Sequence, residues 1–232
     1  MNLAKAALFD AEAHASWAAA PYATEDQPKI ARLLNAAEID PGARLLEPGC
    51  GTGRLTVMLA NAAGLHGRVV ALDISERMIE ACRARLDGHP HVILHHAAIE
   101  DFPFEPETFD AIVCHQVVPH FDDVGAVFAH LAPALRQGGR LLVVHFIGAA
   151  RVNAVHQAAT NPILHHDLLP PTGEMAELLR VAGLTVDWEV EDNLGYLVRA
   201  RRLGSESARR WSPRGLSSEE PAMRKATEPT GF

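Results

Sequence analysis

Cysteine is scarce in these 232 residues: there are three, at positions 50, 82 and 114, with no Cys-x-x-Cys pair and no even set. That excludes a disulfide framework and a cysteine zinc site. Positive charge is also in deficit. With 21 Lys and Arg against 29 Asp and Glu, the net charge is −8, which argues against a general nucleic-acid-binding surface and against binding to anionic membranes. No apolar run approaches the roughly 20 residues that span a bilayer, and the first residues hold no basic segment followed by an apolar stretch. A cytoplasmic protein with no membrane or nucleic-acid partner is expected. Hydrophobic residues at 48% and charged residues at 22% are ordinary, and the length fits one domain with a full core, or one domain plus appendages.

What is present is concentrated in Glu47-Pro-Gly-Cys-Gly-Thr-Gly53. The run Ala43-Arg-Leu-Leu46 before it has the character of a buried strand, and Leu55, Met58, Leu59 and Ala62 after it recur at helical spacing. The glycines therefore stand at a strand-to-helix turn, where missing side chains let backbone amides approach a ligand at a helix N-terminus. Twenty residues beyond Gly53, at the end of a second apolar run, comes Asp73, placed to accept hydrogen bonds from a ribose diol. The pair points to a nucleoside-containing cofactor. A dinucleotide fingerprint needs Gly-x-Gly-x-x-Gly, but here Gly49, Gly51 and Gly53 alternate and Arg54 stands in the third glycine's place. No Gly-Lys-Ser/Thr follows, so a P-loop is excluded.

The string Leu46-Glu-Pro-Gly-Cys-Gly-Thr-Gly-Arg54 resembles motif I of the class I S-adenosylmethionine-dependent methyltransferases. The resemblance covers roughly residues 9–201. It implies S-adenosylmethionine as cofactor, with Glu47 near its amino group, Gly49, Cys50, Gly51 and Gly53 along the methionine moiety, and Asp73 and Ile74 beside the nucleoside. Ala97-Ala-Ile-Glu-Asp-Phe-Pro-Phe104 resembles the family segment that brackets the adenine. There Ile99 would pack on the ring, while Ala98 replaces the usual aspartate and removes its contact. Phe109–Phe121 resembles motif IV with its extension, which would bring Cys114 and His115 to face the sulfonium. No Asn/Asp-Pro-Pro-Tyr motif stands at this place, which argues against methylation of amino groups in nucleic-acid bases.

Strand-like runs at 43–46, 69–72, 92–95, 109–114 and 140–146 alternate with helical patterns at 54–63, 76–86 and 124–136, Ser75 standing as N-cap of the second and Gly138-Gly139 ending the third. Such alternation predicts a doubly wound α/β fold. After a His- and Asn-bearing connection at 147–171 and a helix at 173–182, runs at 185–191 and 196–201 are joined by Asp192-Asn-Leu-Gly195 and predict an antiparallel hairpin. The full expectation is a seven-stranded, mostly parallel sheet with an antiparallel last strand, as the resemblance also implies. Residues 1–28 read as a leader or lid over the cofactor, 29–203 as the cofactor-binding domain, and 204–232 as a disordered tail poor in apolar residues.

Histidine is plentiful, at 13. His115, His120, His145, His156, His165 and His166 fall at the ends of strands four and five or in the 147–171 connection, on the side where open α/β sheets bind ligands. Histidine takes up a proton near neutral pH, so His115, His120 and His145 are candidate catalytic bases; equally, each can hydrogen-bond in a polar cleft wall. His156, His165, His166 and Asp167 lack the i, i+4 spacing of a helical metal pair, and no metal is expected. The predicted activity is methyl transfer to a small-molecule acceptor. Two alternatives stay open: a non-catalytic binder of the cofactor, and a nicotinamide-dependent oxidoreductase. Oligomeric state is not legible.

Overall fold

The computed structural model describes residues 1–204; apart from Gly204, the expected tail lies outside the described residues. The chain opens with α1 (Leu3–Glu12) and α2 (Ser16–Ala19), then α3 (Gln27–Ala37). Next come β1 (Arg44–Pro48), α4 (Arg54–Ala63), β2 (Arg68–Asp73), α5 (Glu76–Arg85), β3 (Val92–His96) and β4 (Phe109–His115). There follow α6 (Val124–Leu131), β5 (Leu135–His145), α7 (Ala149–Gln157), α8 (Thr172–Val181), β6 (Thr185–Asp192) and β7 (Gly195–Arg201).

The strands form one sheet in the order β3-β2-β1-β4-β5-β7-β6. Strands β1 to β5 pair in parallel, and β7 runs antiparallel to both β5 and β6. Strand order reverses between β1 and β4, so the crevice beyond their carboxyl ends is the natural ligand position. Central strands are buried on both faces and accordingly read as continuous apolar runs, as in Leu141–Val144. Along β4, Ile112 and Cys114 join the core under α6 and α8, whereas Ala111 and Val113 join the core under α3 and α4.

The local signals worked where chemistry sets the boundary. Ser75 caps α5 by accepting from the Met78 amide at 3.0 Å. Asp192 pairs with Gly195, leaving Asn193 and Leu194 as the two-residue turn of the terminal hairpin. The helix expected over 124–136 is shorter, however. It stops at Leu131, because Ala132-Pro133-Ala134 tightens into a 3-10 turn around a proline with no N–H to donate. Strand β5 then begins at Leu135, not at 140, and Gly138-Gly139 lie within it. They absorb a bulge in which Phe109 pairs with Leu135 and Ala111 with Arg140. The 147–171 connection contains helix α7 as well as loop.

Candidate active site

Every element of the crevice starts from the β1–α4 bend. Gly49 has φ +66°, and a Cβ there would collide with Val117 beyond β4, so only glycine lets these two strand ends close together. At Gly53, with φ +82°, a Cβ would lie 2.6 Å from Cys82 Sγ of α5. Gly53 thus carries the helix packing that a dinucleotide fold assigns to the position after it. Gly51 has open space where its Cβ would be, and its amide donates to Asp73 Oδ2 at 2.8 Å. The other Asp73 oxygen accepts from the Ser75 amide at 2.9 Å. Burial nevertheless pushes the Asp73 carboxyl up to about 6, against the pull of those two amides.

Glu47 at the end of β1 is 2% exposed. Its Oε2 has no hydrogen-bond partner among the described residues. Burial raises this carboxyl well above the usual carboxylate range, only partly opposed by a hydrogen bond from Thr56.

A cleft opens above these groups, lined by Glu47, Gly49, Cys50, Gly51, Asp73, Ile74, Ile99 and His115 among others. Three expected members are not in its lining. Gly53 packs against α5 as described, Ala98 is buried between the lining residues Ala97 and Ile99, and Cys114 is fully enclosed in the core. The Cys114 expectation fails because successive strand side chains point to opposite faces, so only His115 of that pair can reach the cleft. Burial without a partner pushes the Cys114 thiol up, the opposite of what a nucleophile needs.

The leader roofs the cleft with Phe9, Trp17, Ala18 and Tyr22. Asp10 accepts from Ser75 Oγ at 2.6 Å and from the Arg77 amide at 3.1 Å. Thr52 donates to the Ala18 carbonyl, Arg85 to that of Ala19 at 2.9 Å. The Arg54 guanidinium lies 4.4 Å from the centre of the Tyr22 ring. Arg54, which stands where a dinucleotide fingerprint would have its third glycine, is therefore a leader contact.

A second, larger chamber of about 1050 Å³ adjoins the cleft, between the leader, the end of β5 and α7. Phe9, Trp17, Tyr22, Arg54, Gln116 and His120 line both spaces. Gln116 holds a left-handed backbone, φ 54°, at this junction, a conformation that costs energy for a residue with a Cβ. No sequence signal marked it.

The three candidate histidines separate clearly. His115 is buried against Phe146, with ring centres 4.6 Å apart, and burial lowers it to about 3. His145 lines the chamber rather than the cleft; burial drives it well below the usual imidazole range, and its Nε2 has no partner among the described residues. His120 alone has a carboxylate partner, Asp167 Oδ2 at 2.7 Å from Nδ1. The other Asp167 oxygen lies 2.9 Å from Lys5 Nζ of α1. Neither Lys5 nor this use of Asp167 was foreseen from the sequence. Of the remaining connection histidines, His156 Nδ1 donates to the Asp167 carbonyl, His165 Nε2 to that of Ala159 at 2.9 Å, and His166 is exposed. Among the described residues no three His, Cys, Asp or Glu side chains are gathered as a metal-ligand set.

A family model described as a methyltransferase domain matches residues 46–143. The chain is 31% identical over 193 residues to nocamycin O-methyltransferase of Saccharothrix syringae, covering 72% of this chain and 68% of that protein. The chain belongs to the S-adenosylmethionine-dependent methyltransferases. It is also 34% identical to the ubiquinone biosynthesis O-methyltransferase of Xylella fastidiosa, covering 63% of this chain and 62% of that one. Several curated relatives are longer, and the chain spans from 32% to 62% of their length. In fold, the chain resembles a SAM-dependent methyltransferase of Aquifex aeolicus, with a TM-score of 0.59 at 18% identity over 74% of this chain and 87% of that one. No described helix is long and apolar enough to cross a membrane.

Proposed function

We propose that this chain transfers a methyl group from S-adenosylmethionine to a small-molecule acceptor, with the cofactor in the cleft and the acceptor in the chamber beside it. Glu47 carries the reading. An enclosed carboxylate with one oxygen unpartnered among the described residues is costly to the protein alone. A cationic ammonium group placed there offsets that cost. Asp73 has further lone pairs beyond those its two amide donors use, and these suit a ribose diol. The open flank of Gly51 lets a ligand lie against the backbone.

When bound, the cofactor supplies a methyl group made electrophilic by its sulfonium. The protein's own task is positioning and the exclusion of water. Phe9, Trp17 and Tyr22 border both spaces, so the leader, residues 1–28, serves as the lid on a 29–203 cofactor domain. The preference for a small acceptor draws on relatives named for nocamycin, ubiquinone and demethylmenaquinone, and on the presence of a chamber rather than a flat surface. Titration calorimetry tests the cofactor assignment. S-adenosylmethionine should bind the wild type, and Glu47→Ala and Asp73→Ala should each weaken it by about a hundredfold, the scale of a lost charge-assisted contact. Binding of NAD in place of S-adenosylmethionine would overturn the reading.

A further inference from the structure

We propose that the chamber takes an uncharged, largely apolar acceptor carrying an acidic hydroxyl, a phenol or enol, whose proton passes to Nε2 of His120, with Asp167 and Lys5 as positioning residues. The proposal rests on the methyltransferase reading above and adds the acceptor class and the fate of the proton.

The acceptor class follows from the chamber wall. Its volume of about 1050 Å³ accommodates a multi-ring molecule, and Phe9, Trp17, Phe146, Val152 and Leu164 make much of the wall apolar. Of the charged groups facing it, Lys29 and Asp26 pair with each other, while Glu12 and Arg54 meet neutral groups. Lys29 Nζ is 3.0 Å from Asp26 Oδ1, Glu12 accepts from Trp17 Nε1 at 3.0 Å, and Arg54 lies over Tyr22. Against the apolar stretch of the wall, a charged group on the acceptor would lose its hydration. A neutral hydroxyl meets no such penalty.

The base follows from the hydrogen bonds. A carboxylate only accepts, so the Nδ1 of His120 facing Asp167 must carry the proton. That leaves Nε2 as a bare lone pair, and it has no hydrogen-bond partner among the described residues. The ring stands on the border of cleft and chamber, packed edge-on against Phe9 of the leader at 5.0 Å. His115 and His145 lack a carboxylate to stabilise an imidazolium. Tyr22, whose hydroxyl is raised by burial, is no base at neutral pH.

In the transfer, a lone pair of the acceptor oxygen forms the new O–C bond as the S–C bond breaks, its electrons going to sulfur. The hydroxyl proton moves to His120 Nε2, and Asp167 balances the imidazolium. Lys5 links this pair to the lid: its Nζ donates to the His120 carbonyl at 2.9 Å as well as meeting Asp167 at 2.9 Å and Asp122 at 3.5 Å. The base is therefore complete only when α1 is docked, which couples closure to proton removal.

The test combines histidine NMR with a radiolabelled transfer assay. In the ¹⁵N-histidine spectrum of the chain alone, His120 should show a protonated Nδ1 and bare Nε2. Transfer should go to phenols rather than to thiols or amines. The His120→Gln variant should lose at least a hundredfold with an un-ionised phenol, and at least tenfold less with a nitrophenol already ionised at the assay pH. The groups facing His120 are Asp167 and His156 from the connection, Lys5 from α1 and His145 from β5. Removing the Lys5 charge makes His120 easier to protonate, so Lys5→Met should move the acid limb of the pH profile to higher pH. An Nε2–H tautomer, equal losses on the two phenols, or transfer to thiols, amines or to none of the panel while calorimetry shows cofactor bound would overturn the proposal alone. A failure to bind the cofactor would overturn the reading beneath it as well.

Discussion

The two ends of the sheet treat their carboxylates in opposite ways. At the amino ends of the parallel strands, Asp187 is held by Arg199 Nε at 2.8 Å and Nη2 at 2.9 Å and by Arg201 Nε at 2.6 Å. Glu38 there meets Arg140, Arg199 and Arg201 at 3.0, 2.9 and 2.5 Å. Burial would raise Glu38, but the Arg201 hydrogen bond and the arginine charges outweigh it and hold the carboxyl below its ordinary value. At the carboxyl ends, Glu47 and Asp73 meet no arginine, and burial prevails. One end is satisfied by the protein itself; the other is left for a ligand to satisfy. Asymmetry of this kind separates structural charge from functional charge.

That comparison can be broken first at its structural end. Asp187→Ala leaves Arg199 and Arg201 short of a buried partner and should cost about 3 kcal/mol in chemical denaturation, with cofactor affinity by calorimetry unchanged. Next comes the histidine at the ligand end. His115, about 3 when folded and about 6.5 when unfolded, takes up a proton on unfolding across that window. Stability therefore falls as pH drops from about 6.5 toward 3, by about 2 kcal/mol at pH 5. His115→Phe should flatten this limb in pH-dependent melts. The smallest effect sharpens the contrast. Glu47 is raised, so the stability it contributes in the protonated form is lost as pH rises. Glu47→Gln should then make the ligand-free protein about 1 kcal/mol more stable at neutral pH, with no gain near pH 4, while weakening the cofactor. A Glu47→Gln protein less stable than wild type at neutral pH would remove the distinction between the two ends.

Much of the fold was readable because its signals are local. A capping serine, a two-residue hairpin turn and the alternation of apolar runs with helical patterns each act within a few residues. The glycine bend and Asp73 were legible for the same reason. The misplacements have equally concrete causes. Telling Cys114 from His115, both expected to face the sulfonium, needed the facing of one strand, and a one-residue shift reverses it. The early start of β5 depended on a bulge whose partner lies in β4. The His120–Asp167–Lys5 set joins positions 5, 120 and 167 of the chain, and no spacing rule reaches that far. Gly53 was read as a cofactor contact, and its close packing against Cys82 was not foreseen.

The sequence by itself determined the topology, the cofactor family and the two carboxylates of the cleft, because hydrophobic period, turn chemistry and backbone-ligand approach are all encoded over short spans. Only the tertiary structure decided which histidine gains a carboxylate partner, that Cys114 lies in the core away from the cleft, and which leader side chains border both cavities. Those outcomes depend on which side chains meet once the sheet is assembled, and burial then sets their protonation.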